Sequence, residues 1–490
     1  MKRYFLGFKI YYLVYLLLAF NAFINESLWM EYATDLLAVL GAGCALCMLK
    51  DWKQYQKVAN LRLIGLFLVS YVVSAAVSYR YGIGDNVKEL IWMFLFMVVL
   101  YATSAVLSME ERKKEFCLLA CIWVIYSTVT NAIGNSMVLW GRNYGLTKVR
   151  DGKAVGFKVV GFKWGRLWGM YDDPNHGATI TVVAILLAVY LFVRTAKWYW
   201  RICLAVSVLI QFGYLVLSDS RTGLVSVGVG AIVWTTALAG KCFKEKGMKA
   251  GKAVAISLLL GVAVAGGIVG MAQICKQEYN THDKQMEELA KKMFPPKKSQ
   301  MTKTETTPSK VGRKQDLKGD ASNGRLDIWK SGLEIVETSP VVGVSFRNMT
   351  AYAQQNMPHT YLVDNPENAK YDSLHNSVLD VLVSQGILGI LISLALVFNT
   401  GKLLREYLNQ RKLTEQKVQA EQRKQMGQEL QEGWKQQEND FTVACLALTL
   451  AMGVGSLFLS MVFYLNAPQT YIFWLCFGYL AGTMQEGEAT

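Results

Sequence analysis

The sequence Asp372–Ser373–Leu374–His375–Asn376 ends a polar stretch of about one hundred residues, and an apolar run begins directly after it. The polar stretch starts near Gln273, where an earlier apolar run ends. Residues 322–329 within it have the pattern of a capped helix with a cation in its first turn. A long polar insert that brings a histidine to the edge of an apolar segment is typical of a functional region rather than of a linker alone.

The composition predicts a membrane protein. Hydrophobic residues make up 52% and charged residues 18% of the 490 residues, whereas soluble proteins contain about 25% charged residues. The charges are also segregated, because many runs of about 17 to 23 residues carry almost none, which is the length of a helix that spans a bilayer. We therefore expect an all-α polytopic membrane protein and exclude a single soluble domain. The nine cysteines lie in or beside apolar runs and predict no disulfide framework.

The apolar runs predict about twelve transmembrane helices and three regions of the chain. The runs lie near residues 5–24, 33–49, 61–79, 90–107, 116–139, 176–193, 202–217, 222–239, 253–272, 376–398, 441–464 and 468–483. Residues 1–272 would hold nine helices, residues 273–375 one large extracytoplasmic loop, and residues 376–490 three further helices. Residues 400–440 alternate in charge over a helical pattern and are expected to form a cytoplasmic helical segment.

Basic residues in the short connections predict the orientation of these helices. They cluster on alternate connections, at residues 2–3, 50–62, 112–114, 194–201 and 241–252. Cytoplasmic loops carry such an excess of lysine and arginine, so both termini are expected inside and the 273–375 loop outside.

One predicted outer loop, residues 140–175, breaks this rule. It carries Arg142, Lys148, Arg150, Lys153, Lys158, Lys163 and Arg166 against few acids. Cations on the outer side predict an anionic partner there: a membrane lipid, a phosphorylated substrate or the bilayer surface. Simple contact with lipid headgroups would explain the same charge. Residues 149–154 are expected to form a hairpin turn, and Trp164 and Trp168 to anchor the loop at the interface.

The large insert divides into two parts of different composition. Residues 281–320 are rich in Lys, Thr, Gln and Ser and are expected to be flexible. A helix is expected to follow, capped by Ser322 or Asn323 and ending near Ser339–Pro340, because apolar residues recur there at helical spacing. Arg325 and Trp329 are four residues apart and would share one face of this helix.

A second cation lies at a short polar break between two apolar runs, Ser218–Asp219–Ser220–Arg221–Thr222–Gly223. An arginine at a helix N-terminus is suited to binding phosphate, because its paired N–H donors add to the positive end of the helix. The alternative is an arginine that extends from the membrane interface to water without binding a ligand.

Four histidines occur in the chain, and His375 is the strongest candidate for chemistry. A histidine with a carboxylate nearby, here Asp372, is a plausible general base near neutral pH. A capping or interfacial role for His375 is the alternative. Asp172, Asp173 and His176 have weak metal-ligand spacing, but an ordinary turn and helix cap explain that sequence better. No metal site is therefore expected.

Together these motifs resemble the O-antigen ligase and polymerase superfamily, whose members are membrane glycosyltransferases of the bacterial cell surface. The resemblance covers roughly residues 165–395. It rests on Pro174–Asn175, the polar break at 218–223, Gly324–Arg325 with Trp329, and Leu374–His375–Asn376 followed by Gly386. It implies a GT-C-like helical fold and an inverting, metal-independent transfer of a glycan from undecaprenyl diphosphate, with no cofactor.

The resemblance also implies roles for individual residues. Arg221 and Arg325 would bind the diphosphate of the donor, and His375 would activate the acceptor hydroxyl as a general base. Further contacts with the substrate are expected from Asn175, Asn376, Asp372, Trp329 and Arg166. The site would face outward from a multi-pass protein of the bacterial cytoplasmic membrane, and nucleic acid is not an expected partner.

The acceptor is a glycan or a lipid-linked glycan, and the sequence does not identify it. We favour a repeat-unit polymerase because it needs the fewest additional acceptor features. An O-antigen ligase acting on a lipid core and a protein O-oligosaccharyltransferase are the alternatives within the superfamily. A glycolipid flippase or anion transporter is the alternative of another class. A transporter more often places charges within its spans, and here Asp380 is the main such charge.

Overall fold

A computed structural model of the protein describes residues 1–140, 143–150, 153–293, 311–312, 324–365, 370–422 and 429–489. The chain begins with helices α1 (Lys2–Ala19), α2 (Leu28–Lys50), α3 (Trp52–Tyr55), α4 (Leu61–Val77), α5 (Gly84–Phe94), α6 (Tyr101–Ala105) and α7 (Met109–Leu139). A π-helical segment, Leu95–Leu100, joins α5 to α6. Three strands follow: β1 (Tyr144–Arg150), β2 (Lys153–Lys163) and β3 (Arg166–Gly169).

The remainder of the described chain is again helical. It consists of α8 (Pro174–Arg194), α9 (Trp198–Leu217), α10 (Arg221–Glu245), α11 (Ala250–Met293), α12 (Arg325–Thr338), α13 (Met349–Asn356), α14 (Ser377–Gln422), α15 (Glu429–Gly455) and α16 (Pro468–Ala489). A 3₁₀ turn, Phe346–Asn348, precedes α13.

Each of the twelve predicted spans coincides with a helix or overlaps one. Among the described residues, eight helices are long and apolar enough to cross a membrane, and α4 and Asp440–Gly455 are shorter apolar helices. The prediction of a polytopic helical membrane protein is therefore confirmed, whereas the number of twelve crossings stays a prediction. The predicted span 441–464 differs most, because its helix ends at Gly455. The non-helical backbone that follows is hydrogen-bonded, for example by the Trp474 indole to Val462 O, as apolar surroundings require.

A three-stranded antiparallel sheet, in the order β1-β2-β3, is an addition to the predicted helices. Arg150 lies opposite Lys153, so the hairpin expected at 149–154 is confirmed by its strands, while residues 151–152 lie outside the described residues. The pairing of β3 with β2 was not predicted. The β2 segment is rich in Val and Phe, which favour strands. A loop was predicted there instead, because the segment also carries several cations.

The predicted large loop is partly helical. Helix α11 continues to Met293, so residues 273–293 extend a membrane helix, and 281–293 differ from the expected flexible segment. Val311 is buried, and its N–H and C=O both bond the Asn280 side chain, each at 2.8 Å. Residues 294–310 and 313–320 lie outside the described residues. The helical prediction for 400–440 agrees with α14 and α15 at its two described ends.

The chain divides into two compact units. Unit 1 contains Met1–Leu16, Tyr32–Leu119 and Ser322–Thr490, and unit 2 contains Leu17–Glu31 and Ala120–Ala321. Unit 1 includes a small apolar core beneath the second part of the insert, formed by Ile328, Ile335, Val344, Met349, Ala353, Leu362, Leu374 and Val383. This core fixes α12 against the start of α14. Unit 2 combines the sheet with helices α8 to α11.

Candidate functional site

In unit 2, the guanidinium of Arg166 is buried at the start of β3, with 7% of the residue exposed. Its Nε donates to Ser218 O at 2.7 Å, and its Nη2 donates to Asn175 Oδ1 at 2.7 Å. Burying an arginine is costly unless such hydrogen bonds compensate for lost water. Arg166 thus joins the sheet to the end of α9 and the start of α8.

Asn175 connects two helix N-termini. Its Oδ1 also accepts from Ser220 Oγ at 3.1 Å. Ser220 is the N-cap of α10 and accepts from Gly223 N at 3.2 Å, while Asn175 lies in the first turn of α8. Because the N–H groups of a first helical turn carry partial positive charge, two such ends beside each other favour an anion.

Arg221 is the first residue of α10, and its side chain is exposed. The preceding break is tight: Asp219 has a positive φ of 47° and pairs with Lys276 of α11, Nζ to Oδ1 at 2.6 Å. A non-glycine residue in the left-handed region is strained and persists where its surroundings hold it. The ion pair therefore supports a fixed geometry for the turn that carries Arg221.

The sequence between β3 and α8 acts as a cap. Asp173 Oδ1 accepts from Asn175 N at 2.7 Å and from His176 N at 3.0 Å, and Asp172 accepts from the Asn25 amide. The interpretation of this sequence as a turn and helix cap is thereby confirmed. Within the described parts of the chain, no group of three or more His, Cys, Asp and Glu side chains could hold a metal ion.

In unit 2, the basic loop predicted at residues 140–175 presents Lys163 between two indoles. Lys163 Nζ lies 3.6 Å from the centroid of the Trp164 ring and 4.9 Å from that of Trp168. Partial burial lowers the pKa of Lys163 below its ordinary value. Trp164 is 67% exposed, which fits the predicted interfacial anchor. Arg142 lies outside the described residues.

In unit 1, Arg325 is the first residue of α12, as Arg221 is of α10. Gly324 precedes it with a φ of 75°, and a Cβ there would lie 3.0 Å from the Tyr361 hydroxyl. The position therefore favours glycine for both backbone angle and space. The predicted caps Ser322 and Asn323 lie outside the described residues.

Trp329 fixes the residue before His375. Its indole Nε1 donates to Leu374 O at 3.0 Å. Leu374 is fully buried, and its N–H donates to Asp380 Oδ1 at 2.8 Å. Both backbone polar groups of Leu374 are thus bonded by side chains from neighbouring helices, which leaves little freedom to the chain entering His375.

His375 adopts a strained backbone conformation with a φ of 53°. Its half-buried ring lies edge-on to Tyr371, with centroids 6.5 Å apart. Asn376 caps α14, because its Oδ1 accepts from Val378 N at 3.0 Å and Leu379 N at 3.2 Å. The histidine therefore occupies a rigid turn at the start of a membrane helix, between a buried core residue and a helix cap.

Two carboxylates near His375 differ in their surroundings. Asp372, which was expected to orient the imidazole, is exposed. Asp380 is 1% exposed, accepts from Leu374 N and is also bonded by Ser460 Oγ. Asp380 was noted in the sequence as the main charge within a span. Its spacing of a little over one turn from His375 had also indicated that it could belong to the same site, and its bond from Leu374 N agrees with that interpretation.

An ion pair that was not predicted from the sequence joins the insert to α5 in unit 1. Arg347 Nε donates to Glu89 Oε2 at 2.7 Å, and Nη2 lies 2.6 Å from the same oxygen. Burial lowers the pKa of Arg347, but Glu89 and, more weakly, Asp372 hold this pKa above its ordinary value. The available signal was Glu89 itself, an acid directly before the apolar run at 90–107, because ionisable residues at membrane depth are usually paired or functional.

The predicted residues fall into two groups, each within one unit. Arg166, Asn175 and Arg221 belong to unit 2, and Arg325, Trp329, Asp372, His375 and Asn376 belong to unit 1. Each group contains an arginine as the first residue of a helix. Cations on helix N-termini suit a phosphate ligand, and a histidine in a fixed turn suits proton transfer.

Comparison with known proteins supports the resemblance noted in the sequence. No curated protein matches the chain. A family model does match, and its range includes Arg221, Arg325 and His375. The chain carries several apolar helices of membrane-spanning length, as a membrane glycosyltransferase of that type requires. Residues 206–394 match the family described as O-antigen ligase, which confirms the resemblance over that part of the chain.

Proposed function

We propose that this protein is a multi-pass glycosyltransferase of the bacterial cytoplasmic membrane. It transfers a glycan from undecaprenyl diphosphate to a sugar hydroxyl on the outer face, with inversion and without a metal or cofactor. The observation that carries the proposal is His375, held with a φ of 53° at the start of α14 inside the range that matches O-antigen ligase.

The chemistry needs charge compensation more than covalent catalysis. The acceptor oxygen attacks the anomeric carbon while its proton passes to the His375 imidazole. The bond between that carbon and the diphosphate oxygen breaks, and its electron pair stays on the diphosphate. Arg221 and Arg325 bind this leaving group, because arginine matches phosphate with paired N–H donors. Each arginine opens a helix, so the helix end adds to its charge.

Further residues are proposed to contact the substrate. Asn175 and Asn376 each use their amide oxygen within the protein, so their N–H₂ groups would donate to phosphate or sugar oxygens. Asp372 is proposed to receive sugar hydroxyls beside His375. Trp329 and Arg166 were also expected to contact the substrate. We propose in addition that they position other residues, because their hydrogen bonds hold Leu374 and Asn175 in place. The outer basic loop would contact anionic lipid.

The class of acceptor is tested with purified full-length protein. Lipid-linked repeat units are supplied alone and then with a candidate acceptor lipid, and the products are separated by size. A ladder without acceptor supports the polymerase, which we favour. A single transfer that requires the acceptor supports a ligase, and transfer only to a protein hydroxyl supports an O-oligosaccharyltransferase. Donor consumed in neither assay but moved across a vesicle membrane would support a flippase or transporter instead.

The base is tested with His375→Ala. We expect product formation to fall at least about a hundredfold, since a positioned general base contributes about 10²–10⁴, while lipid-linked donor accumulates. His359→Ala is the matched control, because that side chain is 74% exposed and its Nε2 lies 3.6 Å from Glu334 Oε2. Arg221→Lys should also be impaired, because a point charge does not replace the paired donors. Normal product from His375→Ala would exclude the base assignment.

A further inference from the structure

Unit 1 contains a second polar site, far along α14 from His375. A pocket of about 720 Å³ opens between the start of α4 and the later part of α14. Two cations, Lys57 and Arg62, line it together with amides that include Asn60 and Asn399, and Leu63 supplies an apolar side. The described residues that line the pocket include no acid. The mechanism proposed above uses none of these residues.

The wall that carries the cations is held by hydrogen bonds between side chains. Asn60 is 6% exposed and has a positive φ of 64°. Its Nδ2 donates to Thr400 Oγ1 at 3.0 Å, and its Oδ1 accepts from Asn399 Nδ2 at 2.7 Å. The connection before α4 is therefore tied to α14, and the strained asparagine is held by that contact.

A second set of contacts fixes the backbone at Lys57. Gln485 of α16 accepts from Ala59 N at 3.1 Å and donates to Lys57 O at 2.8 Å. The Tyr101 hydroxyl donates to Ala59 O at 2.7 Å. Lys57 thus lies on an ordered segment rather than on a mobile loop whose charge serves orientation alone.

The pocket lies at one end of a membrane-spanning segment. Asn399 follows Ser377 by 22 residues along α14 (399 minus 377). At about 1.5 Å per helical residue this separation is at most about 33 Å, because α14 is broken at Gly386, and it is close to the thickness of about 30 Å of a bilayer core. In the predicted topology the pocket therefore lies at the membrane boundary opposite His375.

The face of α4 that begins at Arg62 continues as an apolar stripe. Leu66, Val69 and Val73 follow Arg62 at spacings of four, seven and eleven, which places them on the same side of the helix. They are 53%, 58% and 40% exposed. A cation at the membrane boundary followed by exposed apolar residues matches a lipid, with its phosphate at the cation and its acyl chain along the stripe.

We propose that this pocket binds the headgroup of an anionic phospholipid, with Lys57 and Arg62 on its phosphate and its acyl chain along α4. Free phosphate shares the headgroup chemistry but would not use the apolar stripe. Such a lipid would hold the start of α4 against the later part of α14, at the membrane face opposite the proposed glycosyl transfer.

The test uses full-length protein in detergent micelles with added phosphatidylglycerol or phosphatidylcholine, and native mass spectrometry counts the retained lipids. Wild type is expected to prefer phosphatidylglycerol. Lys57→Gln and Arg62→Gln should each weaken its retention about fivefold, and the double variant about 25-fold, since each cation near a membrane surface contributes about that factor. Lys50→Gln/Lys53→Gln is the matched control, because both lysines are exposed on the same connection and neither lines the pocket.

Three results would overturn the proposal. Phosphatidylglycerol retained equally by wild type and the Lys57/Arg62 double variant would exclude the pocket as its site. If the Lys50→Gln/Lys53→Gln control lost phosphatidylglycerol to the same extent, the retention would depend on the general charge of the connection and not on the pocket. Displacement of the lipid by inorganic phosphate would make the ligand a soluble anion. Unfolding temperatures are compared for all variants, and if the double variant does not fold, the two single variants decide.

Discussion

Two strained residues lie beside the candidate chemistry. Asp219 and His375 have positive φ values of 47° and 53°. Such conformations cost about 1–3 kcal/mol each and persist where neighbouring groups hold them. Lys276 holds Asp219, and the bonds to both backbone groups of Leu374 hold the residue before His375. The strain is thus tied to specific side chains, of which Lys276 and Trp329 are distant in sequence and Asp380 is six residues from Leu374.

The Glu89–Arg347 pair predicts a measurable loss of stability. Arg347→Met leaves a carboxylate that is 1% exposed without its cation, so the free energy of unfolding should fall by about 3 kcal/mol. Adding Glu89→Gln should restore much of this loss, because the charge that needed a partner is gone. Thermal unfolding in detergent measures both effects.

The control for this pair is Lys88→Gln. Lys88 neighbours Glu89 in the chain, is 76% exposed and lies 3.5 Å from Asp85. We expect a change below about 0.5 kcal/mol for this variant. If Arg347→Met were as stable as wild type, the pair would not be needed to hold the insert in unit 1.

At the scale of elements, helix α14 is broken at Gly386, which has a φ of 62° and a ψ of −157°. The segment 340–345 bonds the backbone groups that the break releases. Val344 N donates to Val383 O and Ser345 N to Ser384 O, both at 2.9 Å, and Ile387 N donates to Pro340 O at 2.8 Å. Backbone polar groups at membrane depth need such partners, so the insert completes the helix that begins two residues after His375.

Gly386→Ala should therefore destabilise the protein strongly. A Cβ at this position would lie 2.4 Å from the backbone carbon and oxygen of Val341, and the left-handed φ adds strain. We expect a loss of about 3 kcal/mol or more, measured as a fall in unfolding temperature and in the yield of folded protein.

Gly401→Ala is the matched control within the same helix, because a Cβ there meets no atom within 4 Å. Replacing a glycine in a helix interior by alanine should stabilise it by up to about 1 kcal/mol. Equal stability of Gly386→Ala and wild type would mean that the insert does not need to approach α14 this closely.

At the scale of the whole molecule, the predicted orientation is open to a direct test. Gln354 lies in the insert, and Glu245 lies in a connection that is expected on the cytoplasmic side. Both positions are exposed and are replaced by cysteine, one at a time. Each cysteine is introduced into a variant in which the exposed cysteines Cys203, Cys242 and Cys275 are replaced by serine. In right-side-out membrane vesicles, an impermeant maleimide should label position 354 at once and position 245 only after permeabilisation. Labelling of position 245 in sealed vesicles would contradict the predicted topology.

The fold could be predicted from the sequence where the signal is local. Membrane helices follow from the length and the low charge of apolar runs, because lipid requires each helix to bond its own backbone. The helix that begins at Arg325 and the helix cap at Asn376 are local patterns too. The sheet was only half predicted, since a hairpin turn is local whereas the pairing of β3 depends on the fold.

The candidate site shows the same division. The sequence by itself determined the membrane helices and pointed to Arg221, Arg325 and His375, because residue type and position at the end of an apolar run carry that information. The tertiary structure decided what holds them: the hydrogen bond from Trp329 of α12 to the Leu374 carbonyl before His375, the Glu89–Arg347 pair 258 residues apart, and the segment that completes α14. Such partners are decided by packing, since residues far apart in the chain meet only when the helices between them are folded.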